Sequence, residues 1–222
     1  MKDNGLLVQY FNANTPADQT LWAKAAKDAA TLKKLGATAV WFPPATKGAA
    51  GKDDRGYAPY DLYDLGEFNQ KGSVGTRYGT KKEYLEAIDA MKAQGINVYA
   101  DIAVRQKLGA DSVEKVTAAD FNAKDIPQMI GNKKIVGALS KFTFPGRKSK
   151  YSKFKWNWNH FAGIDWQQDD FKRRVCELSG MTEMEAEKKY KLSKYDYIIG
   201  SELDLYNQEV YDELMAWAKW YA

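Results

Sequence analysis

Residues 56–72 read Gly-Tyr-Ala-Pro-Tyr-Asp-Leu-Tyr-Asp-Leu-Gly-Glu-Phe-Asn-Gln-Lys-Gly, and residues 77–80 follow as Arg-Tyr-Gly-Thr. Glycine and proline interrupt this stretch so often that neither a helix nor a regular strand can continue through it. It lies within a long glycine-rich loop, predicted from about residue 45 to residue 79. The combination of aromatic, acidic and glycine residues is too specific for a generic connection.

Strands and a helix are predicted before this loop. Residues 6–11 and residues 39–42 are apolar enough for short buried strands, and Pro43 ends the second because it cannot donate to a sheet ladder. Residues 20–35 are predicted as a helix because apolar residues recur there at helical spacing. Gly36 is typical of a helix C-terminus.

The same alternation continues after the loop. Thr80 and Glu83 form a T-x-x-E capping box, which predicts a second helix ending at Ala93. Its inward-facing residues are predicted to be Leu85, Ile88 and Met91. Residues 96–103 are predicted as a third strand. Strands alternating with helices indicate an α/β fold with a parallel sheet, whose strands are buried between crossover helices.

The pattern changes after residue 103. Residues 104–205 contain short, aromatic, turn-rich segments, which predict an irregular and mostly β insertion. Residues 181–190 favour a helix within it. A final helix is predicted from Gln208 to Tyr221, with one face formed by Leu214, Trp217 and Tyr221.

Composition excludes several classes of protein. The 33 basic and 29 acidic residues are mixed along the chain, giving a net charge of +4, so we expect a solvated surface and no nucleic-acid binding. No run is long enough to span a membrane, and a single cysteine, Cys176, excludes an intrachain disulfide. The N-terminus has no apolar leader segment, so we expect a cytoplasmic protein. A secreted protein whose signal peptide has been removed would have the same sequence.

The loop and its surroundings resemble the bacterial liquefying alpha-amylases, glycoside hydrolases that cut alpha-1,4-glucans. The resemblance extends from Gln9-Tyr10-Phe11 through Phe144-Pro145-Gly146-Arg147 to Trp217-Ala218-Lys219-Trp220-Tyr221. It implies the first three β/α units of a (β/α)8 TIM barrel at residues 1–103, a domain B at 104–205 inserted after the third strand, and the third barrel helix at 206–222.

Three strands of eight cannot close a barrel, so an apolar face and an unpaired edge would remain. Three solutions stay open: a longer polypeptide, a second chain, or a helix and insertion that fold back over the face. We therefore expect a homo-oligomer or a partner chain that completes the fold.

The resemblance implies hydrolysis with retention, by a carboxylate nucleophile and a carboxylic acid. The family's motifs for these groups are absent from the 222 residues, so no catalytic residue is assigned and the chain is expected to be inactive by itself. Four residues match substrate-binding positions of the family: Tyr57, Tyr60, Asp101 and Gln106. From the residues themselves, Tyr57 is either a packing or a binding residue, and a structural carboxylate at the barrel rim is the preferred interpretation of Asp101. Gln106 replaces a histidine of the family, which removes a group that can carry a proton at neutral pH.

The resemblance also implies a degenerate calcium site. A family asparagine ligand is replaced by Arg105 and an aspartate ligand by Ala162, while acidic groups persist at Asp196, Glu202 and Asp204. We therefore expect calcium to be lost and no cofactor to be needed. Arg105 is predicted to bridge Asp196 and Glu202, and the alternative is an Arg105 that points into solvent. The single histidine, His160, is interpreted as structural.

Two functions follow from these residues. The first is the N-terminal part of an alpha-amylase-type hydrolase of starch or maltooligosaccharides, active only with the rest of the barrel. The second is a degenerate, non-catalytic amylase fold that binds an alpha-glucan or a protein partner. The replacements at Arg105, Gln106 and Ala162 favour a chain that does not cut its ligand.

Overall fold

The computed structural model describes residues 5–121, 129–169, 172–178 and 199–222. The chain divides into two compact units, Met1–Ala103 and Val104–Ala222. The helix predicted at residues 181–190 and the acidic residue Asp196 lie outside the described residues.

The first unit has the predicted α/β character. Its elements in chain order are β1 (Leu7–Gln9), α1 (Leu21–Lys34), β2 (Ala39–Phe42), β3 (Lys47–Gly48), β4 (Pro59–Asp61), α2 (Lys81–Ala93) and β5 (Asn97–Ala100). Strands β1, β2 and β5 form a three-stranded sheet in that order, and both pairings are parallel. The short strands β3 and β4 form a separate antiparallel pair within the long loop.

The capping box predicted for α2 is confirmed, because the Thr80 side chain accepts from the Glu83 backbone and the Glu83 side chain accepts from the Thr80 backbone. The predicted inward face of α2 is partly wrong. Leu85 is exposed, whereas the buried residues of the helix are Tyr84, Ala87 and Met91. Tyr84 is drawn inward because its ring packs on two other aromatic rings, Trp22 at 4.8 Å and Phe42 at 6.3 Å between centroids.

The parallel sheet has one packed face and one open face. Val40 and Phe42 of β2 are fully buried, and the Phe42 ring packs against Trp22 of α1 at 5.3 Å. Leu7 and Tyr99 lie on the opposite face and are 54% and 59% exposed. The prediction that the strands are buried on both faces is therefore wrong for β1 and β5, since the two helices pack on the Phe42 side.

The long loop is built around a buried lysine. Lys47 is fully buried, and its ammonium lies 3.7 Å from a carboxylate oxygen of Asp64, which is also fully buried. Gln70 donates to Asp61 and to Asp64 at 2.9 Å each, so the two carboxylates share one amide. The ammonium lies within 3.4 Å of the carbonyl oxygens of Phe68, Ser73, Val74 and Gly75.

The second unit is mostly antiparallel sheet with one described helix. Its elements are β6 (Gln106–Lys107), β7 (Ser112–Phe121), β8 (Met129–Lys141), β9 (Phe161–Gln167), β10 (Lys172–Glu177), β11 (Ser201–Leu203) and α3 (Gln208–Tyr221). The strand order is β6-β11-β9-β10-β7-β8. Of the face predicted for α3, Trp217 is buried and its ring stacks on Tyr221 at 5.1 Å.

Candidate functional site

Tyr57 is presented by a tight turn within the first unit. The carboxylate of Asp54 accepts hydrogen bonds from the backbone N–H groups of Gly56 at 2.7 Å and Ala50 at 3.2 Å. Gly56 has a φ of +90°, and a Cβ atom at this position would lie 2.7 Å from Pro44. Both the backbone conformation and the close approach therefore require glycine directly before Tyr57.

The turn and the end of the parallel sheet bring Tyr57 and Asp101 together. Asp101 follows β5 directly, and its backbone N–H donates to the Phe42 carbonyl at 2.9 Å, which continues the sheet pairing. The Tyr57 hydroxyl donates to the Asp101 carboxylate at 2.6 Å, although the residues are 44 positions apart. Partial burial and then this hydrogen bond raise the pKa of Tyr57, so the phenol remains a neutral donor at physiological pH.

The Tyr57 ring remains accessible although its hydroxyl is fixed. Tyr57 is 44% exposed. An aromatic ring held at its polar end and open on its surface can stack on the apolar face of a ligand ring.

Tyr60, the second aromatic residue assigned to substrate binding, lies in a different environment. It is 1% exposed, and the ammonium of Lys71 lies 4.0 Å from its ring centroid. In this structure the ring packs inside the loop and offers no open face to a sugar. The Tyr60 position therefore supports the loop that carries Tyr57.

Gln106 and Arg105 lie in the second unit, where both residues are associated with Glu202. Gln106 pairs with Glu202 across strands β6 and β11. The Arg105 guanidinium reaches one Glu202 carboxylate oxygen through Nε at 2.6 Å and Nη2 at 2.5 Å. The Glu202 side chain is 6% exposed and that of Arg105 is 40% exposed. The predicted contact between Arg105 and Glu202 is thus present.

Two other positions of the predicted calcium site, Asp204 and Ala162, make hydrogen bonds with the backbone. The Asp204 carboxylate accepts from the Tyr206 backbone N–H at 3.1 Å, just before α3. The carbonyl of Ala162 accepts from the backbone N–H of Leu178 at 3.0 Å. Within the described part of the chain, no group of three or more histidine, cysteine, aspartate or glutamate side chains is placed to hold a metal ion. A guanidinium against Glu202 does not fit a calcium ion, which requires six to eight oxygen ligands.

His160 is held on both ring nitrogens. Nδ1 accepts from the backbone N–H of Asn157 at 3.1 Å, so Nε2 carries the proton and donates to Glu209 at 2.9 Å. The ring is buried and packs against Phe154 at 4.8 Å. These contacts agree with a structural role.

Two side chains that hold the Tyr57 turn were not predicted from the sequence. The Tyr78 hydroxyl donates to the Arg55 carbonyl at 3.0 Å, and Arg77 donates to the Asp53 carbonyl at 3.0 Å. Both belong to the Arg-Tyr-Gly-Thr motif at residues 77–80, which is the signal by which they could be found.

No helix in the described ranges is both long enough and apolar enough to cross a membrane.

Comparison with known proteins identifies relatives over nearly the whole chain, although no family model matches it. The chain is 47% identical over 219 residues to "Alpha-amylase" of Geobacillus stearothermophilus, covering 98% of this chain and 40% of that protein. It is 41% identical over 220 residues to "Glucan 1,4-alpha-maltohexaosidase" of Bacillus sp. strain 707, covering 98% and 42%. It is 37% identical over 221 residues to "Cytoplasmic alpha-amylase" of Escherichia coli K12, covering 98% and 44%. The chain therefore spans less than half the length of these relatives.

Proposed function

Since this chain matches the N-terminal part of alpha-amylases of the bacterial liquefying type, we propose that it binds an alpha-1,4-glucan through Tyr57 and Asp101 and does not cut it by itself. In this proposal the first unit is the partial TIM barrel and the second unit is the domain B with the third barrel helix. The names of the relatives, two alpha-amylases and a glucan 1,4-alpha-maltohexaosidase, support the ligand class. The cytoplasmic location is part of the proposal and is supported by the name of the Escherichia coli relative.

The observation that carries the proposal is the Tyr57 ring, 44% exposed and held by Asp101 at 2.6 Å. A ring that is fixed before the ligand arrives loses little conformational freedom on binding, so more of the contact energy appears as affinity. A pyranose ring would place its apolar face on Tyr57. Asp101, at the end of β5, would accept a hydrogen bond from a sugar hydroxyl, because a carboxylate has about four lone-pair positions.

Isothermal titration with maltohexaose tests this binding. Tyr57→Ala should weaken the affinity by about tenfold or more, since a Tyr at the centre of a binding site commonly contributes at least 1.4 kcal/mol. Tyr211→Ala is the matched control, because Tyr211 is 53% exposed but lies on α3 in the second unit. Equal affinities for the Tyr57→Ala variant and the unmodified chain would contradict the proposal.

The absence of hydrolysis is proposed from residues inside the matched region. Gln106 offers an amide where the family has an imidazole, so it cannot gain or lose a proton in a catalytic step. The Arg105 guanidinium forms an ion pair with the Glu202 carboxylate. By resemblance, Arg105 replaces a metal ligand of the family. Release of reducing ends from starch by purified residues 1–222, above a buffer blank, would refute this part of the proposal.

A second function, association with another chain, is favoured by the open face of the parallel sheet. Leu7 on β1 and Tyr99 on β5 are exposed on this face, on either side of β2. In the described sheet, β1 and β5 each pair only with β2, so their outer edges are unpaired there. Exposed apolar surfaces of this kind usually mark interfaces. We propose that a second copy or a partner chain covers it.

Light scattering tests this association. We expect a mass above the 25.1 kDa of one chain, and a lower mass for the double variant Leu7→Lys and Tyr99→Lys. A stable monomer of the unmodified chain would exclude a homo-oligomer, and a pull-down with the matching C-terminal part of an amylase would then test the partner chain.

A further inference from the structure

We infer that Tyr78 is a positioning residue for the Tyr57 ring. Tyr78 acts through the peptide group that joins Arg55 to Gly56. Gly56 is the residue directly before Tyr57. The inference rests on the proposed function for its ligand, an alpha-1,4-glucan, and it adds a second residue that determines affinity.

Tyr78 is itself immobilised. It is 2% exposed, its ring packs on Trp22 at 5.5 Å, and its carbonyl accepts from the Trp22 backbone N–H at 3.0 Å. Helix α1 therefore holds both the side chain and the main chain of Tyr78. Its hydroxyl donates to the Arg55 carbonyl at 3.0 Å.

The peptide group that Tyr78 contacts is held at both polar ends. Its carbonyl oxygen, from Arg55, accepts from Tyr78 at 3.0 Å, and its N–H, from Gly56, donates to Asp54 at 2.7 Å. Glycine tolerates both signs of φ, so the peptide before it can rotate at little steric cost unless hydrogen bonds prevent this. The two bonds therefore fix the direction in which the chain enters Tyr57.

The position of Tyr57 depends on this entry direction. Its hydroxyl must meet Asp101 at 2.6 Å while its ring remains accessible. Loss of either hydrogen bond would let the φ angle of Gly56 change, and an uncompensated change there would displace Tyr57 and break that alignment. Burial raises the pKa of Tyr78 to about 12, so its hydroxyl remains a donor throughout the neutral range.

Tyr78→Phe removes the hydroxyl and keeps the ring. Tyr10→Phe is the matched control, because the Tyr10 hydroxyl also makes one partly buried hydrogen bond, to Asp28 at 2.6 Å, in the same unit. Two properties are measured in chains with 13C-labelled tyrosine: the NMR signal of Tyr57, assigned with Tyr57→Phe, and the dissociation constant for maltohexaose.

We expect Tyr78→Phe to shift or broaden the Tyr57 signal and to weaken maltohexaose binding by about three- to tenfold, the equivalent of one hydrogen bond. Tyr10→Phe should lower the melting temperature about as much as Tyr78→Phe does. It should leave the Tyr57 signal and the dissociation constant for maltohexaose unchanged. If Tyr78→Phe does not fold, Asp54→Ala removes the other anchor of the same peptide and should have the same effect on the Tyr57 signal.

The inference is overturned if Tyr78→Phe leaves the Tyr57 signal and the affinity as they are, or if Tyr10→Phe changes them equally. An unmodified chain that does not bind maltohexaose would refute the proposed function instead. The Tyr57 signal would then still decide whether Tyr78 positions the ring.

Discussion

Replacing Lys47 by methionine should destabilise the protein more than replacing any surface lysine of the same loop. Methionine keeps most of the aliphatic volume and removes the charge. The change would leave the Asp64 carboxylate, fully buried in the structure, without its cation. It would also remove the donor to the carbonyls of Ser73 at 2.7 Å and Val74 at 2.6 Å.

The magnitude follows from these contacts. Removing one partner of a buried ion pair costs about 3–5 kcal/mol, because the other charge stays buried and unpaired. For a chain of this size, 1 kcal/mol corresponds to roughly 2–4 °C, so the melting temperature should fall by roughly 6–20 °C. Burial lowers the pKa of Lys47 because it disfavours the charged form, and the nearby Asp64 carboxylate opposes part of this shift.

Thermal unfolding followed by circular dichroism measures the effect. Lys52→Met is the control, since Lys52 and its partner Asp53 lie in the same loop but are 51% and 64% exposed. An exposed pair of this kind contributes about 0–1 kcal/mol. Adding Asp64→Asn to Lys47→Met should recover part of the lost stability by removing the unpaired charge. A Lys47→Met variant as stable as Lys52→Met would refute the role assigned to the buried pair.

Three further predictions concern charged and titrating groups. Arg105→Ala should lower the free energy of unfolding, measured by urea unfolding, by about 2 kcal/mol. The loss is smaller than for a fully buried ion pair because the Arg105 side chain is 40% exposed. Calcium should leave the melting temperature of the unmodified chain unchanged, because a ligand that binds only the folded state would raise it; a calcium-dependent increase would contradict the proposed loss of the site. Stability should fall between pH 10 and about pH 12, because the pKa of Tyr78 is raised from 10.0 in the unfolded chain to about 12 in the folded one. The stability that Tyr78 contributes is complete below about pH 10. Above about pH 10 it is lost, at up to about 1.4 kcal/mol per pH unit. Tyr78→Phe should remove this part of the alkaline decrease, and an unchanged pH profile in that variant would contradict the assignment.

Features determined by local sequence could be predicted. The capping box of Thr80 and Glu83 is a contact between residues three positions apart, so its spacing alone specifies it. The parallel sheet follows from the alternation of strands and helices, and the register of β1, β2 and β5 confirms it. The Arg105 contact with Glu202 spans 97 positions and was predicted through the family resemblance, not from spacing.

Features determined by three-dimensional packing were missed. Helical periodicity allowed Leu85 as an inward residue, but the ring of Tyr84 competes for the same face and packs on Trp22. A lysine is rarely buried, so nothing in the sequence indicated that Lys47 would be enclosed by carbonyl groups. The hydrogen bond from Tyr57 to Asp101 depends on a turn whose geometry is set by Gly56 and Tyr78, and no local pattern predicts it.

The most direct test of glucan binding at Tyr57 is a titration of maltohexaose into the chain with all 14 tyrosines 13C-labelled. We expect the Tyr57 signal to shift and saturate with ligand, while the signal of Tyr211 stays in place. A Tyr57 signal that does not move while other tyrosine signals shift, or no shift of any tyrosine signal at saturating maltohexaose, would contradict it.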